Sequence, residues 1–301
     1  MQVTSNTHLA AIVANQQWLE AIDRWYRADG VSLETALPIF GLMPDSSKAL
    51  QLHLIGTGWF ENNGEKISPN EAGRDFLARV NELYRSIKRE NKQDQIVTQT
   101  LDALPRGAAV DIGCGPGHSS LRLARMGFSP VYAYDLSSVA LDMAKALLDN
   151  EGKTGYLYAE DATPLAEVET SSVAVIYSRG ALHYFNQRKF ALTINRVLQP
   201  GGHLVAELVG LKYYLQSKHL RNLSRLGRLW KPLSYGRTVL RTLMYEALTV
   251  QPRMAAGAPE IGFTRRSIYR FAKWAGLEII SISAAPSSFG GFMVVMRKPV
   301  K

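Results

Sequence analysis

The chain has 301 residues, 46% hydrophobic and 20% charged, and 35 Lys plus Arg against 26 Asp plus Glu give a formal net charge of +9. This length and balance fit about two globular domains, and a single Cys excludes an intramolecular disulfide, a Cys-built zinc site and cysteine-ligated iron–sulfur chemistry. The N-terminus lacks the basic start and apolar run of a secretory signal, and no apolar run is long enough to span a bilayer, so a soluble, cytoplasmic protein without a metal site is expected.

The first third reads as mainly helical. Helices are expected over 9–27, 32–41 and 46–57, then a hairpin over 58–67 turning at Asn62, Asn63 and Gly64, then a helix entered at Pro69. Three helices and a small hairpin suggest a winged-helix-like domain over 1–100. Residues 1–106 hold 11 basic and 13 acidic side chains, a poor match to a phosphate backbone, so dimerisation or lid packing is preferred over DNA reading, with plain structural support as the alternative.

From residue 107 the hydrophobic period switches repeatedly between strand and helix, the signature of an α/β domain. Strands are expected over 108–112, 131–134, 155–159, 173–177 and 203–209. Helices are expected over 118–126, after Ser137 or Ser138, and through Phe190 to Val197. A helix from 263 to 276 and strands near 277–283 and 292–296 close the chain. Ligands of such sheets sit beyond the carboxyl ends of the strands. Those ends carry Asp111, Gly113, Cys114, Gly115 and Gly117, then Asp135 and Leu136, then Asp161 and Ala162, and then Ser178 and Arg179. Glycines at alternate positions suit a tight strand-to-helix turn, and an acid ending the second strand suits ribose hydroxyls. Asp135 and Asp161 also read as helix caps, and Cys114 as a packing residue.

The run Val110-Asp111-Ile112-Gly113-Cys114-Gly115-Pro116-Gly117, with Asp135, Glu160-Asp161-Ala162 and Leu198-Gln199-Pro200-Gly201-Gly202, resembles the class I S-adenosylmethionine-dependent methyltransferases. The resemblance implies a doubly wound, Rossmann-like sheet over 101–301 with S-adenosyl-L-methionine as cofactor. It assigns the glycine turn to the methionine and ribose portions, Asp135 to the ribose hydroxyls, and Asp161 with Ala162 to the adenine. A dinucleotide-binding domain is disfavoured, because its last glycine falls three positions after Gly115, where His118 stands. Ala181-Leu182-His183-Tyr184-Phe185 is similar to a segment of small-molecule O-methyltransferases whose His is a general base. His183 is therefore the catalytic candidate, with pocket lining or a buried structural role as alternatives, and Tyr184, Tyr213 and Tyr214 are substrate-pocket candidates. Tyr184 departs from the family pattern, which has an acid there.

The charge is uneven. Residues 208–245 hold eight basic side chains and no acid, while the first 207 residues are net acidic. The aromatic, Leu-rich and basic stretch 211–262 reads as a helical lid inserted after the fifth strand. Its cations suit a solvated face first, then equally an anionic small substrate or peripheral membrane contact through 211–245, and RNA last. The expected partners are a small-molecule substrate and a second copy of the chain through the N-terminal domain, with nucleic acid unfavoured.

Overall fold

The computed structural model describes residues 7–28, 32–39, 41–62, 66–89, 93–215, 236–245, 261–285 and 291–300. Most of the expected basic lid, at 216–235 and 246–260, lies outside the described residues. In chain order the elements are α1 (Thr7–Ala14), α2 (Gln16–Arg27), α3 (Leu33–Ile39), α4 (Pro44–Gly56), β1 (Phe60–Asn62), β2 (Ile67–Pro69), α5 (Glu71–Arg89), α6 (Gln93–Asp102), β3 (Ala108–Ile112), α7 (His118–Arg125), β4 (Val131–Tyr134), α8 (Ser138–Asn150) and β5 (Gly155–Tyr158). These are followed by β6 (Val173–Arg179), a 3-10 turn (Leu182–Tyr184), α9 (Gln187–Val197), β7 (Leu198–Leu208), α10 (Leu211–Leu215), α11 (236–245), α12 (Arg265–Ala275), β8 (Glu278–Ala284) and β9 (Phe292–Arg297).

The main sheet has seven strands in the order β5-β4-β3-β6-β7-β9-β8. The pairs β4–β5, β3–β6 and β6–β7 are parallel, and β9 runs antiparallel to both β7 and β8. The order reverses between β3 and β6, the switch point at whose carboxyl edge open α/β sheets bind ligands. Six consecutive residues of β6, Val173 to Ser178, are buried, which is why this strand reads as an unbroken apolar run rather than an alternating one.

Contacts divide the chain into two compact units, 1–95 with 114–160 and 96–113 with 161–301. In the first unit the segment expected as one helix over 9–27 is two. Asn15 is extended, and its side chain accepts from the Gln17 and Trp18 N–H groups, ending α1 and capping α2. The helix expected to start at Pro69 begins two residues later: Pro69 closes β2, and Asn70 Oδ1 accepts the Gly73 N–H at 3.0 Å. Helix α8 shares its core with the N-terminal helices, Val139, Met143 and Ala146 joining Ile22, Trp25, Phe76, Val80 and Leu83.

In the second unit, Thr264 and Ser267 form a reciprocal capping box at the start of α12, and Gly276 ends that helix in the left-handed region. Asn195 of α9 donates to the Ala275 carbonyl at 2.6 Å, tying the two helices together.

Helix α5 is anchored by Phe76, fully buried against Phe60 edge-on at 5.9 Å and Trp59 at 5.4 Å. Truncation there removes aromatic area and leaves a cavity that the paired strands β1 and β2 cannot fill. Phe76→Ala is expected to lower unfolding free energy by about 3–5 kcal/mol, read by urea denaturation; a loss under about 1 kcal/mol would show that α5 is not held by this cluster.

Candidate functional site

The turn after β3 is shaped by three glycines with positive φ, +67° at Gly113, +52° at Gly115 and +87° at Gly117. Gly117 starts α7 from the left-handed region, and a Cβ there would lie 2.5 Å from Ala144 of α8. Only glycine satisfies both the dihedral and the close approach.

In the first unit the Gly115 N–H donates to Asp135 Oδ2 at 2.9 Å, and the Ser137 N–H donates to Asp135 Oδ1 at 2.9 Å. The end of β4 therefore holds the turn through both carboxylate oxygens. Ser137 in turn caps α8, its Oγ accepting the Ala140 N–H at 3.0 Å. Leu136 beside it is 77% exposed, an apolar surface next to the carboxylate. The Cys114 side chain is instead buried with Ala133 and Leu141, so a ligand at this position would meet its backbone.

Three residues of α5 also meet Asp135 or the residues bonded to it, and the sequence reading did not single them out. Arg79 Nη2 lies 3.9 Å from Asp135 Oδ1, Ser137 Oγ donates to Asp75 at 2.5 Å, and Glu82 lies against Gly115. Their i, i+4, i+7 spacing was a legible signal for one helical face, but nothing local in the sequence said which turn it would meet.

In the second unit Asp111 is buried within β3, and the Ser178 Oγ, fully buried, donates to the Ile112 carbonyl at 3.1 Å. A Cβ on Gly113 would lie 2.4 Å from that of Ala181. Asp161 Oδ1 accepts from the Thr163 N–H at 2.8 Å and from its hydroxyl at 2.6 Å, a local turn that fixes the carboxylate, and Ala162 beside it is buried.

Arg179 lies 3.6 Å from Glu207 of β7, which also accepts from the Tyr177 hydroxyl at 3.1 Å. Glu207 is 2% exposed and was missed by sequence reasoning. The signal was a lone charge inside the apolar run Leu204-Val205-Ala206-Glu207-Leu208, since a buried carboxylate requires partners.

His183 sits on the 3-10 turn and is buried. Its carbonyl accepts the Ile261 N–H at 3.3 Å, and the buried Gln187 amide braces the turn by donating to the Leu182 carbonyl at 2.7 Å. Burial pushes the imidazole down to about 4, so it is neutral at physiological pH. Its ring lies 3.9 Å from that of Tyr184, which is 47% exposed. Tyr213 is half-buried and Tyr214 buried, their rings edge-to-face at 5.3 Å. Among the described residues no group of three or more His, Cys, Asp or Glu side chains is arranged to hold a metal ion, and no helix is long and apolar enough to cross a membrane.

A family model described as "Methyltransferase domain" matches residues 110–206. Dimethylglycine N-methyltransferase of Parasynechococcus marenigrum (strain WH8102) is 34% identical over 110 residues, 35% of this chain and 38% of that one. Indolepyruvate C-methyltransferase of Streptomyces griseus is 35% identical over 78 residues, 25% of this chain and 24% of that one. The chain thus spans less than two fifths of the length of these curated relatives. The solved structure of the PH0226 protein from Pyrococcus horikoshii OT3 superposes with a TM-score of 0.51 at 16% identity, covering 72% of this chain and 92% of that one, a likeness of fold.

S-Adenosylmethionine fits the residues present: a positive-φ glycine turn between strand and helix, and a strand-end carboxylate aimed at that turn. Residues 110–206 thus carry a methyltransferase domain, and S-adenosylmethionine is its cofactor.

Proposed function

We propose that the protein methylates a small acceptor molecule, most simply at oxygen, with His183 taking the acceptor's proton. The observation that carries this reading is the buried, neutral imidazole of His183 on a braced turn directly after β6, beside the half-exposed ring of Tyr184. Two of the curated relatives, named for methylation of dimethylglycine and of indolepyruvate, support a small acceptor, while a third, at 25% identity, is named for tRNA.

When bound, the cofactor supplies a methyl group made electrophilic by its positive sulfur. The chain's own tasks are then alignment, exclusion of water and proton removal. Asp135 and the glycine turn hold and orient the cofactor. Tyr184, Tyr213 and Tyr214 offer aromatic surface to the acceptor, and Arg179, positioned by Glu207, offers a cation to an anionic one. An imidazole that titrates near 4 is a weak base toward a resting hydroxyl. It is adequate toward an oxygen that is gaining a bond to carbon, because that oxygen becomes positive and its proton strongly acidic. Burial keeps the ring in the form that accepts the proton.

Two measurements test the reading. Asp135→Asn keeps an acceptor oxygen for one backbone donor but loses the charge that ribose hydroxyls would meet. It should weaken S-adenosylmethionine binding about 10- to 100-fold by calorimetry; unchanged affinity would remove Asp135 from the cofactor site. Labelled methyl transfer into a cell extract split into metabolite, lipid and RNA fractions should place the label among metabolites, and labelling confined to RNA or lipid would overturn the small-acceptor reading. With the acceptor so identified, the low pKa of His183 puts the acidic limb of kcat/KM near pH 4, because the base is lost only as pH falls through that value. His183→Gln should lower kcat about 100-fold or more without changing cofactor affinity. An acidic limb centred near 6.5, or full turnover by His183→Gln, would show that this ring is not the base.

A further inference from the structure

Residues 261–263 form a short segment whose consecutive N–H groups go to three different elements. The Ile261 N–H donates to the His183 carbonyl at 3.3 Å, the Gly262 N–H to Thr242 Oγ1 of α11 at 2.9 Å, and the Phe263 N–H to the Val209 carbonyl just past β7 at 2.8 Å. The Phe263 carbonyl also accepts the Leu211 N–H at 3.1 Å. Ile261 and Phe263 are buried. A Cβ on Gly262 would lie 2.7 Å from Leu211 Cα, so the two backbones approach too closely for any side chain between them.

Thr242 joins α11 to this segment, and its hydroxyl is used in a defined direction. The residue is fully buried, and Oγ1 donates its proton to the Thr238 carbonyl one turn earlier at 2.7 Å. Its lone pairs are then left for the Gly262 N–H, toward which the hydroxyl acts only as an acceptor. Helix α11 is itself held from α12, where the Arg270 guanidinium lies 4.2 Å from the centroid of the buried Tyr245 ring. The segment therefore has a fixed anchor on a fixed helix.

One residue earlier, the same segment reaches the turn that carries His183. Gln187 braces that turn from α9 through the Leu182 carbonyl, and the Ile261 bond is a second hold, made on the His183 backbone itself. We infer that Thr242 is a positioning residue for His183: by accepting the Gly262 N–H it fixes the segment whose neighbouring N–H holds the His183 carbonyl. The inference rests on the reading of His183 as the base. Loss of the hydroxyl would leave a buried amide unpaired, and the segment would shift to satisfy it. The turn would then keep the Gln187 brace but lose its second hold, so the imidazole would leave its alignment and meet water.

The test compares Thr242→Val, which keeps the shape and loses the hydroxyl, with Thr242→Ser, which keeps the hydroxyl, in the full chain. The first readout is an NMR pH titration of isotope-labelled histidine rings, with His183→Gln identifying the His183 signal. The wild-type ring, lowered by burial to about 4, should stay neutral from about pH 7.5 to about pH 5. In Thr242→Val it should gain a proton within that window, moving toward about 6.5, and Thr242→Ser should match the wild type. With the acceptor identified by labelled transfer, Thr242→Val should lower kcat about 10- to 100-fold and change S-adenosylmethionine affinity by less than about twofold. Thr242→Ser should recover most of kcat. A purely structural role would lower the melting temperature and leave the His183 titration unmoved; that result would overturn the inference, as would an equal loss in Thr242→Ser. Should the Val variant not fold, Thr242→Ala, which leaves room for water beside Gly262, is read against the same expectations. A wild-type ring titrating near 6.5, or full turnover by His183→Gln, would overturn the base reading and this inference together. A wild-type ring near 4 that loss of the hydroxyl leaves unmoved would overturn the inference alone.

Discussion

The structure around the cofactor turn depends on how one carboxylate is used. Asp135 accepts one backbone N–H on each oxygen, from Gly115 and from Ser137. The first bond holds a glycine in the left-handed region that only glycine occupies at low cost, and the second sets the residue that caps α8. Helix α8 then places Ala144 against Gly117 and sends Val139, Met143 and Ala146 into the N-terminal core. The strand end, the turn, the helix start and part of the core are thus tied together by a single local geometry.

The second unit treats its buried ionisable groups in two contrasting ways. Glu207 keeps company with the Tyr177 hydroxyl and the Arg179 guanidinium, the arrangement that lets a carboxylate remain inside a strand. His183 is instead driven neutral by burial. The first strategy preserves charge and points an arginine; the second removes charge and preserves a lone pair.

Much of this was legible because strand ends in an α/β sheet announce themselves by composition. Asp111, Gly113, Gly115, Gly117, Asp135 and Arg179 fall where apolar strand periodicity stops, and the structure places each at or beside a strand end. The break at Asn15 was missed because the apolar period continues through it, while an Asx side chain competes for the backbone donors. Glu207 was missed because a charge in an apolar run looks like an interruption until its partners are known. Asp75, Arg79 and Glu82 were missed for a different reason: their meaning depends on which strand end α5 meets, and no local pattern encodes an approach between residues separated by 30 or more positions.

Net charge is the property that changes most between the scale of the chain and the scale of the site. The chain as a whole is +9, with its surplus in the last third, and it would suggest a preference for anions everywhere. Yet charges farther away than the Debye length, about 8 Å at physiological salt, contribute little at a solvent-exposed point. At Gly115 the carboxylates of Glu82 and Asp135 approach the turn, with Arg79 and Asp75 beside them. Part of the charge at this turn is supplied by α5, a helix outside the segment that matches the methyltransferase family. The local charge at the glycine turn is thereby set by its neighbours in space and is separable from the net charge of the chain.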